Sequence, residues 1–396
     1  MSIPDLQSFG FDADYQAVYD LAYRYARDEL YDLCPKMDDD DWFPDQQFRA
    51  MAEQGLIGVT IPEEYGGAGL DVLAQCFISE AVAYWNHSIS AGMLASDNLC
   101  ADNIVRNANE DQKRQYLPGF CNGSTIGALG MTEPGAGSDA LGSMATTARR
   151  DGDDYVLNGR KLFITNGPVA DVLLVYAKTD MAKKQHGISA FIVEKTFPGF
   201  SVAQKLDKMG WRGSPTGELV FDDCRVPAGN LVGEENKGNV VMMSGLDVER
   251  VIAAFFCIGQ AQRAFDLALE YTTQRKQFGK AIGEFQIIQG MLADMYSDIE
   301  ASRALTYQVG REIANIQQGE GGRGILHQRS AAALLFVART LMRVLDQAVQ
   351  IHGGMGFMRE SEVNRLYRSG KVMEIGAGTT QIRQVIIAGE LLKGAR

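Results

Sequence analysis

The chain has 396 residues, 46% of them hydrophobic and 22% charged, and a net charge of −12 from 38 basic and 50 acidic side chains. That length exceeds one compact core, so two or three packed units are expected. The acidic balance argues against nucleic acid or anionic membrane as main partner, while a local Arg or Lys can still hold a small anion.

No apolar run reaches the roughly 18 residues of a membrane span. The start, Met1-Ser2-Ile3-Pro4-Asp5, has no basic stretch followed by an apolar one, so no secretory or organelle signal is read. Six scattered cysteines without a CxxC pair and four dispersed histidines point away from a disulfide framework and a metal site. They fit a reducing, cytoplasmic setting.

In chain order, residues 1–125 read as a mostly helical unit with a turn at Pro62-Glu63-Glu64-Tyr65-Gly66-Gly67. Residues 126–235 read as strands. This unit opens on Leu129-Gly130-Met131-Thr132-Glu133-Pro134-Gly135-Ala136-Gly137-Ser138-Asp139. Its small residues let a backbone press against a flat ligand, and Thr132 and Ser138 place hydroxyls on either side of a proline-stiffened turn. The segment reads as the floor of a cofactor site or, more blandly, as a strand ending in a glycine-rich turn.

Strands follow at Tyr155–Leu157 and Lys161–Thr165, with Asn158-Gly159 between them as a hairpin signal, then at Val172–Ala177, Ile188–Val193 and Glu218–Phe221. No helix-length pattern separates them, so a small antiparallel barrel or sandwich is expected.

All ten prolines lie at or before Pro227, and residues 236–396 read as a helical unit. Helices are predicted over Val240–Thr273, Glu284–Gln317, His327–Ile351, Glu360–Arg368 and Thr380–Leu392. Breaks fall at Gly319-Glu320-Gly321-Gly322 and Gly353-Gly354-Met355-Gly356. His352, with no nucleophile or carboxylate beside it in sequence, reads as a structural turn histidine.

The order helices, strands, helices and four motifs resemble the acyl-CoA dehydrogenase family. The motifs are Met131–Asp139, Phe163-Ile164-Thr165-Asn166-Gly167, Gln274-Arg275-Lys276-Gln277-Phe278-Gly279-Lys280 and Gln350-Ile351-His352-Gly353-Gly354-Met355-Gly356. Asn98-Leu99-Cys100, Lys205–Lys208, Ser244–Arg250 and Ile375–Thr380 make the chain most similar to the isovaleryl-CoA dehydrogenase branch and its bacterial relatives.

The resemblance implies an α+β fold: an N-terminal helical domain, a middle antiparallel β domain and a C-terminal four-helix-type bundle. It implies one FAD per subunit. Leu129, Met131, Thr132, Gly137 and Ser138, with Phe163, Ile164 and Thr165, line the flavin. Arg275 and Gln286, with Gln350, Gly353 and Gly354, reach the FAD of a neighbouring subunit, and Phe278 also contacts the cofactor. Thr379, Thr380 and Gln381 meet the cofactor at a helix start, where free N–H groups favour phosphate. A shared cofactor site implies a homo-oligomer, in this family usually a tetramer, and electrons are expected to leave through an electron-transferring flavoprotein. Phe163 stands where relatives commonly carry Trp; the ring still stacks but lacks the indole N–H.

The implied reaction removes a proton from the α carbon of an acyl-CoA thioester and a hydride from the β carbon. A carboxylate in a desolvated pocket suits the proton step, because burial raises its pKa. Many members carry that carboxylate where this chain has Ala377, within Ile375-Gly376-Ala377-Gly378-Thr379-Thr380. The isovaleryl-type branch supplies it from an earlier helix, where this chain has Glu249 in Leu246-Asp247-Val248-Glu249-Arg250. Glu249 is therefore the expected base, and Glu374, three residues before Ala377, should point elsewhere.

Ser138, Asp247 and Arg250 are expected to meet substrate, and the small Gly376, Ala377 and Gly378 leave room for a branch on the acyl chain. Asp97, where relatives are usually neutral, faces the acyl pocket, faces solvent or caps a helix. Val240, where relatives carry an aromatic, widens one wall. The acyl group is thus branched or medium-sized. A lyase or desulfinase, an oxidase, a non-catalytic FAD binder and a carrier-protein thioester dehydrogenase remain alternatives on this fold.

Overall fold

One helix, Gly238–Gln274, organises the molecule. Residues 247–261 are buried on every side, as expected of a stretch that is apolar nearly all round. It packs so closely on the helix Val72–Trp85 that a Cβ at Gly259 would lie 2.1 Å from the Glu80 carbonyl oxygen. The helices Gln286–Ile313, Gly324–His352 and Thr380–Gly394 complete the C-terminal bundle. The structure, a computed structural model, describes residues 3–314 and 322–394. The predicted break at 319–321 and the predicted end of the second long helix lie outside the described residues.

In the N-terminal part, His87–Met93 and Asp102–Asn107 are α-helical and run on through a π-helical middle, Leu94–Ala101. Among the described residues, no helix is long and apolar enough to cross a membrane.

The middle part is an eight-stranded sheet in the order β6-β7-β3-β2-β4-β5-β8, with β1 paired to β4. The strands are β1 (Gly127–Gly130), β2 (Thr147–Asp151), β3 (Asp154–Thr165), β4 (Val172–Lys178), β5 (Ile188–Glu194), β6 (Phe200–Lys205), β7 (Thr216–Pro227) and β8 (Leu231–Val232). Strand β4 is buried along its whole length. Leu174 and Tyr176 face the N-terminal helices, and Leu173, Val175 and Ala177 face the core of the sheet's other side. Burial on both faces explains its continuous apolar run.

Two expectations need correction. The sheet is not wholly antiparallel: β1 pairs with β4 in parallel from Gly127↔Val172 to Gly130↔Val175, and β2 joins β4 in parallel at Thr147↔Lys178. Nor is Asn158-Gly159 a hairpin turn. Strand β3 runs straight through it, and the turn lies at Asp151–Asp154. Asn158-Gly159 is a bulge against β7, with the register shifting between Leu157 and Gly159. The Asn158 side chain accepts from the Asp223 amide (2.9 Å) and donates to its carboxylate (3.0 Å). A Cβ at Gly159 would meet Thr146 Oγ1 at 2.4 Å. Strand β6 was not foreseen, because it is almost wholly exposed and lacks apolar alternation.

Candidate active site

The glycine-rich segment leaves β1 and folds over the start of the sheet. Glu133 and Ala136 exchange backbone bonds of 3.1 and 3.0 Å across the tight turn. Leu162 N donates to the Thr132 carbonyl at 2.8 Å, which lays Met131–Thr132 beside the stretch Leu162–Thr165.

A fully buried Lys161 fixes this arrangement, donating to Glu133 Oε1 (2.8 Å) and to the Met131 carbonyl (3.2 Å). Burial pushes the Lys161 pKa down to about 8. Burial opposes ionised Glu133 too, but Lys161 and the Thr146 and Ala145 amides hold its pKa below the usual value. A buried pair of this kind is a rigid brace rather than a large gain in stability.

Above the brace, Phe163 is 63% exposed at φ 61°, and space around Gly135 and Gly137 is open. Leu129, Met131, Thr132 and Thr165 are half-buried, and Ser138 is exposed. An exposed aromatic ring beside a glycine floor flanked by hydroxyls fits a flat ring system such as a flavin. Ile164 differs from expectation: its side chain is buried in the sheet core, so only its backbone borders this floor.

A second group of predicted residues gathers at one end of the helical bundle. Tyr271 and His352 stack at 4.3 Å between centroids, bringing together the helix ends that carry Arg275 and Gln350–Gly354. His352 Nδ1 lies 2.7 Å from the Ala348 carbonyl, in keeping with a structural histidine. Arg275, Phe278, Gln286, Gln350, Gly353 and Gly354 are all exposed. Among the described residues the Arg275 guanidinium has no ion-pair partner, and Phe278 is 93% exposed.

Glu249 sits on the inner face of the long helix. Burial pushes its pKa up to about 7, against the pull of Arg250 and Arg383. Among the described residues no group hydrogen-bonds its carboxylate. The turn Gly376–Gly378, with Ala377 at φ 52°, precedes the last helix. The fully buried Arg383 holds that turn by donating to the Met373 (2.9 Å) and Gly376 (2.5 Å) carbonyls. Sequence reading had missed Arg383. Glu374 is engaged by Lys371 at 2.5 Å, so it is not a rival base.

Other predicted contacts carry structural duties. Asp247 is wholly buried, accepting from Arg250 (2.8 Å), Ser330 Oγ (3.0 Å) and Gly322 N (2.7 Å), with His327 Nδ1 at 2.7 Å. It therefore anchors Arg250 and is not itself an exposed ligand contact. Thr379 Oγ1 accepts from Ile382 N (3.2 Å), and Thr380 is buried with its hydroxyl on Gln381 Oε1 (3.1 Å). These hydroxyls are already used at the helix start, while Gln381 is exposed.

Asp97 neither faces solvent nor caps a helix. It is buried in the π-helical segment, with Oδ2 accepting from Gly58 N at 3.1 Å, and burial pushes its pKa up to about 7. Among the described residues no cluster of His, Cys, Asp and Glu could hold a metal.

A glycine floor with an exposed aromatic ring, and elsewhere on the long helix a buried carboxylate without a hydrogen bond among the described residues, are the parts a flavin-dependent dehydrogenase needs. The acyl-CoA dehydrogenase N-terminal, middle and C-terminal domain families match residues 12–124, 128–224 and 236–392. A mitochondrial isovaleryl-CoA dehydrogenase from Oryza sativa subsp. japonica is 44% identical over 97% of this chain and 92% of its own. The butyryl-CoA dehydrogenase structure from Megasphaera elsdenii superposes with a TM-score of 0.91 at 37% identity, covering 99% of this chain and 100% of the other. A chain from structural work on the electron transferring flavoprotein of Acidaminococcus fermentans gives 0.92 at 37% identity, covering 99% and 100%. The chain belongs to the acyl-CoA dehydrogenase family. It is an FAD-dependent oxidoreductase of acyl-CoA thioesters.

Proposed function

We propose that the protein desaturates a branched-chain or medium-sized acyl-CoA between its α and β carbons, with Glu249 as the base. One observation carries this reading: Glu249 is a buried carboxylate, free of hydrogen bonds among the described residues and pushed up to about 7, in a chain whose residue 377 is alanine and offers no carboxylate. A base poised near the working pH both exists ionised and binds the proton it removes.

In this reading Leu129, Met131, Thr132, Gly137, Ser138, Phe163 and Thr165 hold the flavin ring, with the Ile164 backbone. Arg275, Gln286, Gln350, Gly353 and Gly354 serve the FAD of a neighbouring copy, and Phe278 and Gln381 also meet the cofactor. FAD supplies the acceptor for the hydride that leaves the β carbon.

Glu249 takes the α proton, and the electron pair of that C–H bond closes the new double bond as the hydride departs. The helix around Val248 and Ile252, both buried, excludes water from the carboxylate. Arg250, expected at substrate, is instead buried and engaged by Asp247, one residue from the base, and Ser138 lies at the substrate edge. Gly376, Ala377 and Gly378 leave room for a branched acyl group.

An electron-transferring flavoprotein is the expected acceptor, and a homotetramer the expected assembly. Exposed Phe278, Ile287, Phe357 and Val385 supply apolar surface for such contacts. Six free thiols suit a reducing cytoplasm.

Anaerobic mixing with isovaleryl-, 2-methylbutyryl-, octanoyl-, citronellyl- and cyclohexanecarboxyl-CoA tests the reading through flavin bleaching. Glu249→Gln should keep its FAD and lose turnover; retained turnover would remove Glu249 from the role.

A further inference from the structure

A small, partly open cavity lies between the Val72–Trp85 helix, the π-helical segment and the long helix. Its apolar wall includes Leu94 and Ile252. Ile252 is three residues beyond Glu249, about 4.5 Å along the helix axis and on a neighbouring face. One wall of the cavity is therefore built about one helical turn from the residue expected as the base.

Half of the lining is polar: Gln75, Ser79, Ser90, Asp97 and Asn98. Polar groups this deeply buried are normally paired. Ser79 and Ser90 satisfy one another at 3.2 Å, and Ser90 Oγ also bonds the Ser79 carbonyl at 3.1 Å. Asn98 donates to Asp102 Oδ2 at 3.3 Å, which fixes its amide and leaves Oδ1 without a partner among the described residues. Asp97 bonds Gly58 N through one oxygen only. Gln75 Oε1 is likewise buried and unpaired, and its amide can turn either end inward. Asn98 is 1% exposed, and Asp97 and Gln75 are 6% and 7%. Leaving such acceptors unmatched is unfavourable. The cavity admits one water-sized group.

We infer that this cavity is the far end of the acyl pocket and selects acyl thioesters tipped by a hydrogen-bond donor on a single heavy atom, a hydroxyl or an ammonium. The inference rests on the dehydrogenase reading of Glu249 and deepens it by naming the substrate class. A donor tip answers the Asn98 and Asp97 acceptors, whereas a methyl group of similar size leaves them unmatched. Burial that pushes Asp97 up to about 7 is relieved when an ammonium arrives, because the carboxylate then gains a counter-charge.

The test compares, on the FAD-loaded enzyme, 5-hydroxypentanoyl-CoA and 5-aminopentanoyl-CoA with hexanoyl-CoA. Flavin bleaching gives kcat/KM, and calorimetry gives Kd for the matching 2-enoyl-CoA products, which cannot be dehydrogenated again at that bond. At least one donor-tipped thioester should be favoured about tenfold in both measures.

Asn98→Leu should erase the preference. Gln75→Met, which breaks no side-chain bond among the described residues, should reduce it and serves where Asn98→Leu fails to fold. Asp97→Asn should abolish a preference for the amine and spare one for the alcohol, separating the two sources. Equal or better handling of hexanoyl-CoA by the wild type, or a preference that survives in the folded Asn98 and Gln75 variants, overturns the inference while leaving the dehydrogenase reading standing. Failure of every thioester, alkyl ones included, to bleach the flavin overturns both.

Discussion

Arg383 Nη2 donates to the Gly376 carbonyl at 2.5 Å, so the last helix holds the turn that carries Ala377. The same guanidinium is one of two positive charges, with Arg250, that keep Glu249 lower than burial alone would set it. Proton removal needs ionised Glu249, so the rate should rise with pH through about 7. Arg383→Gln removes the charge, and the rising limb of the kcat–pH profile should move to higher pH. At pH 7 this lowers kcat on the order of three- to tenfold. Arg383→Lys keeps a charge and should return the limb towards its original position. A limb unmoved in Arg383→Gln would show that the guanidinium acts on the turn alone.

Asp97 gives the opposite of the usual pH dependence for a carboxylate. Its pKa in the fold is about 7, against 3.8 for the unperturbed group, so the folded state favours the neutral form. That contribution is present below the unfolded pKa and is lost as pH rises to 7 and beyond. Asp97→Asn keeps an oxygen for Gly58 N and has nothing to ionise. Relative to wild type, its thermal stability should improve as pH is raised from about 4 to about 8, by on the order of 2–4 kcal/mol. Parallel melting temperatures across that range would contradict the buried, raised carboxylate.

The Lys161–Glu133 brace predicts a coupled loss. Lys161→Met leaves Glu133 buried with amide partners only, a change that typically costs about 3–5 kcal/mol. It also frees the Met131 carbonyl, so the purified protein should contain less FAD as well as melt earlier. Adding Glu133→Gln removes the stranded charge and should recover part of both. Full flavin content and an unchanged melting temperature in Lys161→Met would mean the pair is dispensable.

The helix crossing at Gly259 has no space for a methyl group. Gly259→Ala would set its Cβ 2.1 Å from the Glu80 carbonyl oxygen, forcing the Val72–Trp85 helix outward at a cost of about 2–3 kcal/mol. Thermal unfolding checks this, and a variant as stable as wild type would show that the two helices can part freely.

Much of this architecture was legible because its signals are local. The long C-terminal helices fall within a few residues of where proline absence and apolar periodicity set them: His327–Ile351 was expected and Gly324–His352 is found. The burial of Glu249 follows from the apolar stretch around it. What was not legible depends on partners far along the chain. Asn158-Gly159 carries a hairpin signature, yet Asp223 on another strand turns it into a bulge. Arg383 resembles any solvated helical arginine until the Met373 and Gly376 carbonyls are seen beside it. Asp97 could be placed near a pocket by likeness, but its burial depends on Gly58, in a loop well upstream.

The π-helical stretch Leu94–Ala101 gives the cavity a control that side-chain chemistry does not. A π turn accommodates one residue more than the α-helix it interrupts. Deleting a single residue there would let the stretch relax to α geometry and re-aim the side chains of that turn, while the helix on either side kept its place. Chain length in this one turn, independently of which residues occupy it, would thus decide whether Asp97 and Asn98 reach the acyl tip, so a shortened relative could present an apolar wall while keeping both residues in its sequence.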